Sequence, residues 1–408
     1  MAAQNVDVWN SDRSALDALA YEQEKATSFQ SGNPRLHQEL STHENAFDWA
    51  YQEHTFQLAV EQLEKSGKVE KIVIDEVGCE PLVAYRIGDP DVVITSHIHG
   101  DEPGPAIPMF IQLVDRIVNG DPAMQNILIV PRANAEAYNQ MRRGVALNQE
   151  LLDRLQSAGI LNQAQIQAIT ESGTCDMAKF SETLTGLGYH VSYDSEDKPY
   201  IDLNRQYIEQ EDGKEPDLRF LFPKARQLLR ALRQHAPKAA HGFSFHADNT
   251  PTTVQLAENG EQIEVQNGCY LYDTPTFYSD SEHANAEYER FVAECVGNFQ
   301  TKMKERGIPL LNGIDDIEDE ILGMNLFTNG VGQVPALEKR IGDQVVPRTK
   351  EMHDQTFETA MVRWGMNRYW CFETAGWINP DRRSEMIQIL LDTIVLPILR
   401  ARTSASQV

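Results

Sequence analysis

The sequence predicts an α/β fold, with three layers (α/β/α) around a mixed, largely parallel central sheet. Three observations predict it. Residues 91–134 read strand, loop, helix, strand, which is the rhythm of a parallel sheet with helical crossovers. Two further apolar strands, AAHGFSFHAD and MNRYWCFETAGW, lie far downstream. The chain has 408 residues, 41% hydrophobic and 24% charged, so it can bury a large core without disulfide staples.

The elements follow in order. Residues 1–66 are polar and read as an N-terminal helical extension, through SALDALAYEQEKA and FDWAYQEHTFQLAVEQLEKSG; Gly67 suits a helix stop. Residues 67–408 read as the main domain. VEKIVIDEV and EPLVAYRIG alternate like strands, and DVVITSHI is a β-branched run fit for a buried strand. After HGDEPGP, AIPMFIQLVDRIV has helical spacing with Pro105 and Pro108 near its start. NILIVPRAN is the next strand. Residues near 145–200 read as an insertion: two short helices in LNQELLDRLQSAGILNQAQIQAITESG, then a polar loop in SETLTGLGYHVSYDSEDKPY. PDLRFLFPKARQLLRALRQHA is a basic amphipathic helix, and residues 284–306 are helical. IDDIEDE is an acidic run that reads as a solvated face or loop. RSEMIQILLDTIVLPILRA closes the chain as a helix. No internal repeat or low-complexity linker interrupts the series.

Composition excludes several classes. The formal charge is −25, which repels phosphate backbones and anionic lipid, so nucleic acid is not an expected partner. Five widely spaced cysteines with no CxxC pair are neither a disulfide framework nor a thiolate zinc site; they read as small buried residues in a reducing compartment. The N-terminus has no basic stretch followed by an apolar run, and no segment reaches about 18 apolar residues. The expectation is a cytoplasmic protein with no membrane partner. The oligomeric state is not readable.

The chemistry concentrates at His99-Gly100-Asp101-Glu102, directly after a predicted buried strand. Ligands of open α/β sheets bind at strand carboxyl ends. Imidazole and carboxylate both suit Zn²⁺, and His-x-x-Glu on a tight turn can aim both at one ion. Gly100 and Gly104 allow the sharp turn and close backbone approach. A catalytic zinc needs a third protein ligand and an open position. His246, at the end of GFSFHADN, is the best candidate; His97 and His241 compete. His97 better suits packing or support behind His99, and His241, at the start of its strand, reads as surface-exposed.

HGDE, NAEAYNQMRR, Asp202-Leu203-Asn204-Arg205, His246 and FETAG around Glu373 occur in that order. In this the chain resembles the zinc carboxypeptidase superfamily, which includes the succinylglutamate desuccinylase and aspartoacylase group. The likeness covers about residues 68–400. It implies one zinc ion on His99, Glu102 and His246, with Glu373 as general base and Arg143 as the oxyanion-stabilising cation. Asp202 would accept from the far nitrogen of His99. Asn204 and Arg205, with Arg142 adjacent to Arg143, would hold a substrate carboxylate, for which the guanidinium fork is well shaped. Spacing favours Arg143 over Arg142 only modestly.

Some positions depart from the pattern. Asn134-Ala135 stands where Asn-Pro is usual, Ser244 stands where many relatives have Asp, and the insertion separates Arg143 from Asp202. These leave the ligands intact and put substrate choice in doubt. Tyr270, Tyr272 and Tyr278 are further candidates near the pocket mouth. The implied function is hydrolysis of an amide next to a carboxylate, in a peptide or an acyl-amino acid, most simply as a carboxypeptidase. A deacylase of the desuccinylase type uses the same parts; the short stretch after Glu373 counts against it, because that group usually carries a β-rich region there. An inactive binding module on the same fold is the third reading.

Overall fold

The computed structural model describes residues 45–139, 142–194, 196–207, 218, 221–248, 252–256, 262–266, 269–275, 286–308, 310–311, 313–315, 325–328, 330–333, 338–341, 344–347, 356–375 and 380–405. Helix α1 (Asn45–Lys65) is followed by strands β1 (Glu70–Ile74), β2 (Leu82–Ile87) and β3 (Val92–Ser96), helix α2 (Pro103–Asn119) and strand β4 (Ile127–Val130). Gly67 takes the left-handed φ of 66° that ends α1, as the sequence anticipates. SALDALAYEQEKA, the other expected helix of the extension, lies outside the described residues. Phe56 of α1 packs on Phe110 of α2 with ring centroids 4.8 Å apart, so the helix is seated on the sheet's own covering layer.

The segment read from the sequence as an insertion follows α3 (Ala135–Asn139). It comprises β5 (Val145–Ala146), α4 (Gln149–Ser157), α5 (Gln163–Ile169), α6 (Met177–Gly186), β6 (Ser192–Tyr193) and β7 (Pro199–Ile201). Leu151, Leu155, Phe180, Leu184 and Ile201 give it a core of its own. The expected polar loop from residue 181 is in part a helix: Asp176 caps α6 by accepting from Ala178 N and Lys179 N, and Phe180 and Leu184, one turn apart, are buried. Its Ser, Thr and Gly content hid that pattern.

Helix α7 (Pro223–His235) leads to β8 (His241–Asp248), a hairpin of β9 (Thr252–Leu256) and β10 (Gln262–Gln266), and β11 (Cys269–Pro275). Then come α8 (Ala286–Glu305), β12 (Gly313–Asp315), β13 (Asn325–Thr328), β14 (Val331–Gln333), a hairpin of β15 (Glu338–Ile341) and β16 (Gln344–Pro347), α9 (Phe357–Arg363) and β17 (Arg368–Ala375). The acidic run thus starts in β12, and the rest of it lies outside the described residues. Helix α10 (Pro380–Leu390), a π turn (Leu391–Val395) and α11 (Leu396–Ala405) close the chain.

The main sheet has ten strands in the order β1-β2-β4-β3-β8-β17-β11-β14-β13-β12. Its centre, β4-β3-β8-β17, is parallel. The pairings become antiparallel beside it, at β2/β4 and β17/β11. One face carries Val92, Ile94, Phe243, Phe245, Trp370 and Phe372 under α1, α2, α8 and the closing helices. The other carries Val93, Leu128, Val130 and Tyr369 under α7 and α9. Side chains alternate between faces along each strand, so one sheet supports two cores, and the fold is the expected three-layer α/β/α sandwich. Among the described residues no helix is long and apolar enough to cross a membrane. The cysteines are all free thiols, with Cys269, Cys295 and Cys371 buried.

One expectation fails here. His241 is fully buried, not exposed. It begins a strand in the middle of the sheet, stacks on Trp370 and lies 2.5 Å from the Tyr288 hydroxyl of α8.

Candidate metal centre

The centre forms where β3 and β8 end. Strand β3 gives way to a turn in which His97 holds a left-handed φ of 53°. This non-glycine strain is retained because His97 is locked: its Nδ1 lies 2.8 Å from Pro131 O, and Tyr138 meets its ring edge-on at 4.7 Å. Burial pushes its pKa down to about 3, so it is a neutral strut. Gly100 follows, and a Cβ there would fall 2.1 Å from the Ala137 carbonyl carbon, so only glycine lets the turn approach α3. Glu102 precedes α2 but its side chain does not cap it; it turns into the centre instead.

Three buried side chains converge. His99 Nδ1 lies 2.8 Å from Glu102 Oε1, and His246 Nδ1 lies 2.9 Å from Glu102 Oε2. The two Nδ1 atoms are 3.3 Å apart. One ligand atom from each of the three falls within 4.8 Å of the others. Behind them, His99 Nε2 is 3.1 Å from Asp202 Oδ1, which also accepts from Asn204 N at 2.8 Å. That second contact caps the short 3-10 turn Leu203–Arg205 and freezes the carboxylate.

The centre favours positive charge. Burial opposes protonation of His99, as does the Arg143 cation, yet Glu102 and Asp202 raise its pKa above an ordinary histidine. Burial likewise opposes charging His246, and Cys371 and Glu102 reverse that. Burial would raise the Glu102 and Asp202 carboxyls, but the histidines, and for Asp202 also Arg143, hold both well below the usual range. Two imidazole nitrogens and a carboxylate facing one point, in surroundings that stabilise a cation there, are a donor set that fits a divalent ion.

Arg143 reaches the same acidic pair, with Nη1 3.0 Å from Glu102 Oε1 and Nε 3.5 Å from Asp202 Oδ2. Glu373 stands opposite His246 in the parallel β8/β17 register, and Tyr270 stands opposite Glu373 across β11/β17. Register thus sets Glu373 beside His246, half-buried and 3.7 Å from the Cys371 thiol. Tyr270 is buried and edge-on to Tyr272; Tyr278 lies outside the described residues.

Asn204 is buried and already engaged: its Oδ1 accepts from Phe357 N at 2.8 Å. Arg205 Nη1 donates to Asn204 O at 3.1 Å. Arg142 is half-buried, and its charge helps to lower the Asp194 carboxyl after β6.

One residue the sequence reasoning passed over is Glu358, on α9. It is fully buried, lies 3.3 Å from His246 Nε2 and accepts from Ser244 Oγ at 2.5 Å. Burial would raise its carboxyl, but His246 and Ser244 hold it low. The signal available was Ser244 itself: a strand position expected to carry a carboxylate carries a hydroxyl.

No family model matches the chain, and no curated protein matches it. Among solved structures it is similar to bovine thrombin-activatable fibrinolysis inhibitor in complex with tick carboxypeptidase inhibitor, at 10% identity and a TM-score of 0.47, over 87% of this chain and 97% of that one. It is also similar to carboxypeptidase A from Helicoverpa armigera (12% identity, TM-score 0.45, 90% of this chain and 75% of that one). A third is a metallo-carboxypeptidase from Burkholderia cenocepacia (11% identity, TM-score 0.44, 85% of this chain and 68% of that one). At such identities these are likenesses of outline; the chemistry rests on the side chains above.

Proposed function

We propose that this chain is a zinc-dependent hydrolase that cleaves an amide bond next to a carboxylate, acting as a metallocarboxypeptidase that releases a C-terminal amino acid. The convergence of His99, Glu102 and His246, with Asp202 behind His99, carries this reading. Zinc held by those three side chains supplies Lewis acidity and lowers the pKa of a water to about 7.

The chain's own residues do the rest. Asp202 keeps the His99 proton on Nε2, so Nδ1 presents its lone pair. Glu373 takes the proton from the attacking water on its carboxylate and returns it to the leaving amine. Arg143 places a guanidinium where negative charge develops on the carbonyl oxygen. Arg205 offers a charged fork to the substrate carboxylate, with Arg142 and the Asn204 amide nitrogen beside it.

The test is metal content followed by two assays. Purified protein should hold one zinc per chain and release C-terminal residues from peptides. Glu373→Gln should abolish turnover and keep the zinc. Full activity in that variant removes Glu373 from the mechanism; activity confined to acyl-amino acids replaces the peptidase with a deacylase; failure to take up zinc defeats the hydrolase reading.

A further inference from the structure

We propose that Glu358 orients His246 as Asp202 orients His99, and that Asn204 joins the two carboxylates into one frame; this rests on the zinc reading above. An imidazole that presents Nδ1 as a lone pair must carry its proton on Nε2, and a buried N–H needs an acceptor. For His99 the acceptor is Asp202, 3.1 Å away. For His246 the carboxylate at hand is Glu358, with Oε1 3.3 Å from Nε2, within ion-pair reach but short of an aligned hydrogen bond. Ser244 pins that same oxygen by donating to it at 2.5 Å. Ser244 lies two residues before His246 on β8, hence on the same face. A strand hydroxyl and a helix carboxylate together do what a single strand carboxylate could do alone.

Asn204 places the helix. Its Oδ1 accepts from Phe357 N at 2.8 Å, one residue before Glu358, while its own N–H donates to Asp202 Oδ1 at 2.8 Å. That oxygen is the one facing His99. A path therefore runs from His99 through Asp202, Asn204 and Phe357 to Glu358, whose carboxylate faces His246 Nε2 at 3.3 Å. Both histidines are held from behind by groups that share one asparagine. The positioning role of Asn204 is separate from any contact with substrate.

His246, Glu358 and Cys371 also bring ligand atoms within 4.8 Å of one another. A second ion there would strip the proton from Nε2 and leave the imidazole bridging two cations. The Ser244 hydrogen bond on Glu358 favours the orienting role.

Four variants test this, read as zinc affinity by competition with a chromogenic chelator and as the melting temperature of the zinc-free protein. Glu358→Gln keeps the side-chain volume and should weaken zinc binding about 10-fold, and Glu358→Ala up to about 100-fold, the range for losing a supporting carboxylate. Asn204→Ala should weaken it in the same direction. The double variant Ser244→Asp with Glu358→Ala moves the carboxylate from helix to strand and should bind zinc more tightly than Glu358→Ala alone. Unchanged affinity in Glu358→Gln, or no recovery in the double variant, overturns the proposal. So does a wild-type stoichiometry of two zinc ions, one of them lost in Cys371→Ser. A wild-type chain that takes up no zinc sinks the parent reading instead.

Discussion

Arg143 faces two carboxylates at once, Glu102 and Asp202, and its guanidinium is held charged by them although burial opposes it. The same cation that balances this acidic pair is the one assigned to the oxyanion. Arg143→Ala should therefore lower kcat by about 10²–10³-fold, the cost of losing one oxyanion donor. Zinc should bind at least as tightly, because a positive charge beside a ligand carboxylate has gone. Parallel measurement of kcat and zinc affinity checks both; lost zinc with lost activity would make Arg143 a support of the ligands. Residue by residue, what could be read from the sequence follows locality. His99 and Glu102 sit in one turn and announce themselves. Glu358 lies 114 residues after Ser244, at the start of a helix where a glutamate has ordinary reasons to be, and only folding shows its partners. His241 was misread because its place at a strand start says nothing about which strand neighbours will cover it.

Among the elements, α1 is joined by Glu53 to Arg132 and to Tyr138, the ring that meets His97. Glu53 accepts from Gln57 at 2.7 Å and from the Tyr138 hydroxyl at 2.5 Å, and pairs with Arg132. Arg132 in turn lies over the rings of Phe56 and Tyr138. Burial would raise the Glu53 pKa, but Arg132 and these hydrogen bonds lower it below an ordinary glutamate. A carboxyl depressed in the folded state stabilises it above its unfolded pKa, near 4.5, and the contribution fades as pH falls through the lower folded value. Glu53→Gln should cost about 1–3 kcal/mol near pH 7, as expected for leaving buried donors unmatched. The difference from wild type should shrink below pH 4.5, in urea melts run at several pH values; a gap that persists at low pH assigns the role of Glu53 to packing. Elements with a strong period, such as β3, α2 and β8, were legible because hydrophobic spacing alone marks them. Strand β11 was not, because its Tyr270 and Tyr272 read as pocket mouth until β17 pairs with them. Helix α6 was missed because its cap, Asp176, lies outside the segment read as loop.

For the molecule as a whole, the charge of −25 acts against compactness. Buried pairs such as Arg368 with Asp273, 2.9 Å apart, are screened little by salt, whereas the surplus surface carboxylates are screened strongly. Raising NaCl from about 10 mM to 0.3 M should lift Tm by about 1–3 °C, through a shrinking Debye length. A fall would mean that surface ion pairs outweigh net repulsion. The three-layer architecture was readable because parallel central strands leave continuous apolar runs and β1 and β2 alternate; the opposite margin, β14-β13-β12, is made of strands too short to leave a comparable trace.

The segment read as an insertion has a consequence of a different kind. Val145 and Ala146 of β5 pair with Ile201 and Tyr200 of β7, so the long excursion leaves and returns through one short antiparallel ladder, whose first rung is Val145 with Ile201. Arg143 stands just before that rung and Asp202 just after it. The rung works as a clasp: whatever hangs beyond it can lengthen, shorten or be exchanged while the two chemical residues keep their spacing. Closing a longer loop through a fixed clasp costs little, about 0.6 kcal/mol per doubling of length. The chain can thus vary this segment without disturbing Arg143 and Asp202, so that, on the proposed function, substrate preference and catalytic competence can drift apart at little cost to the fold.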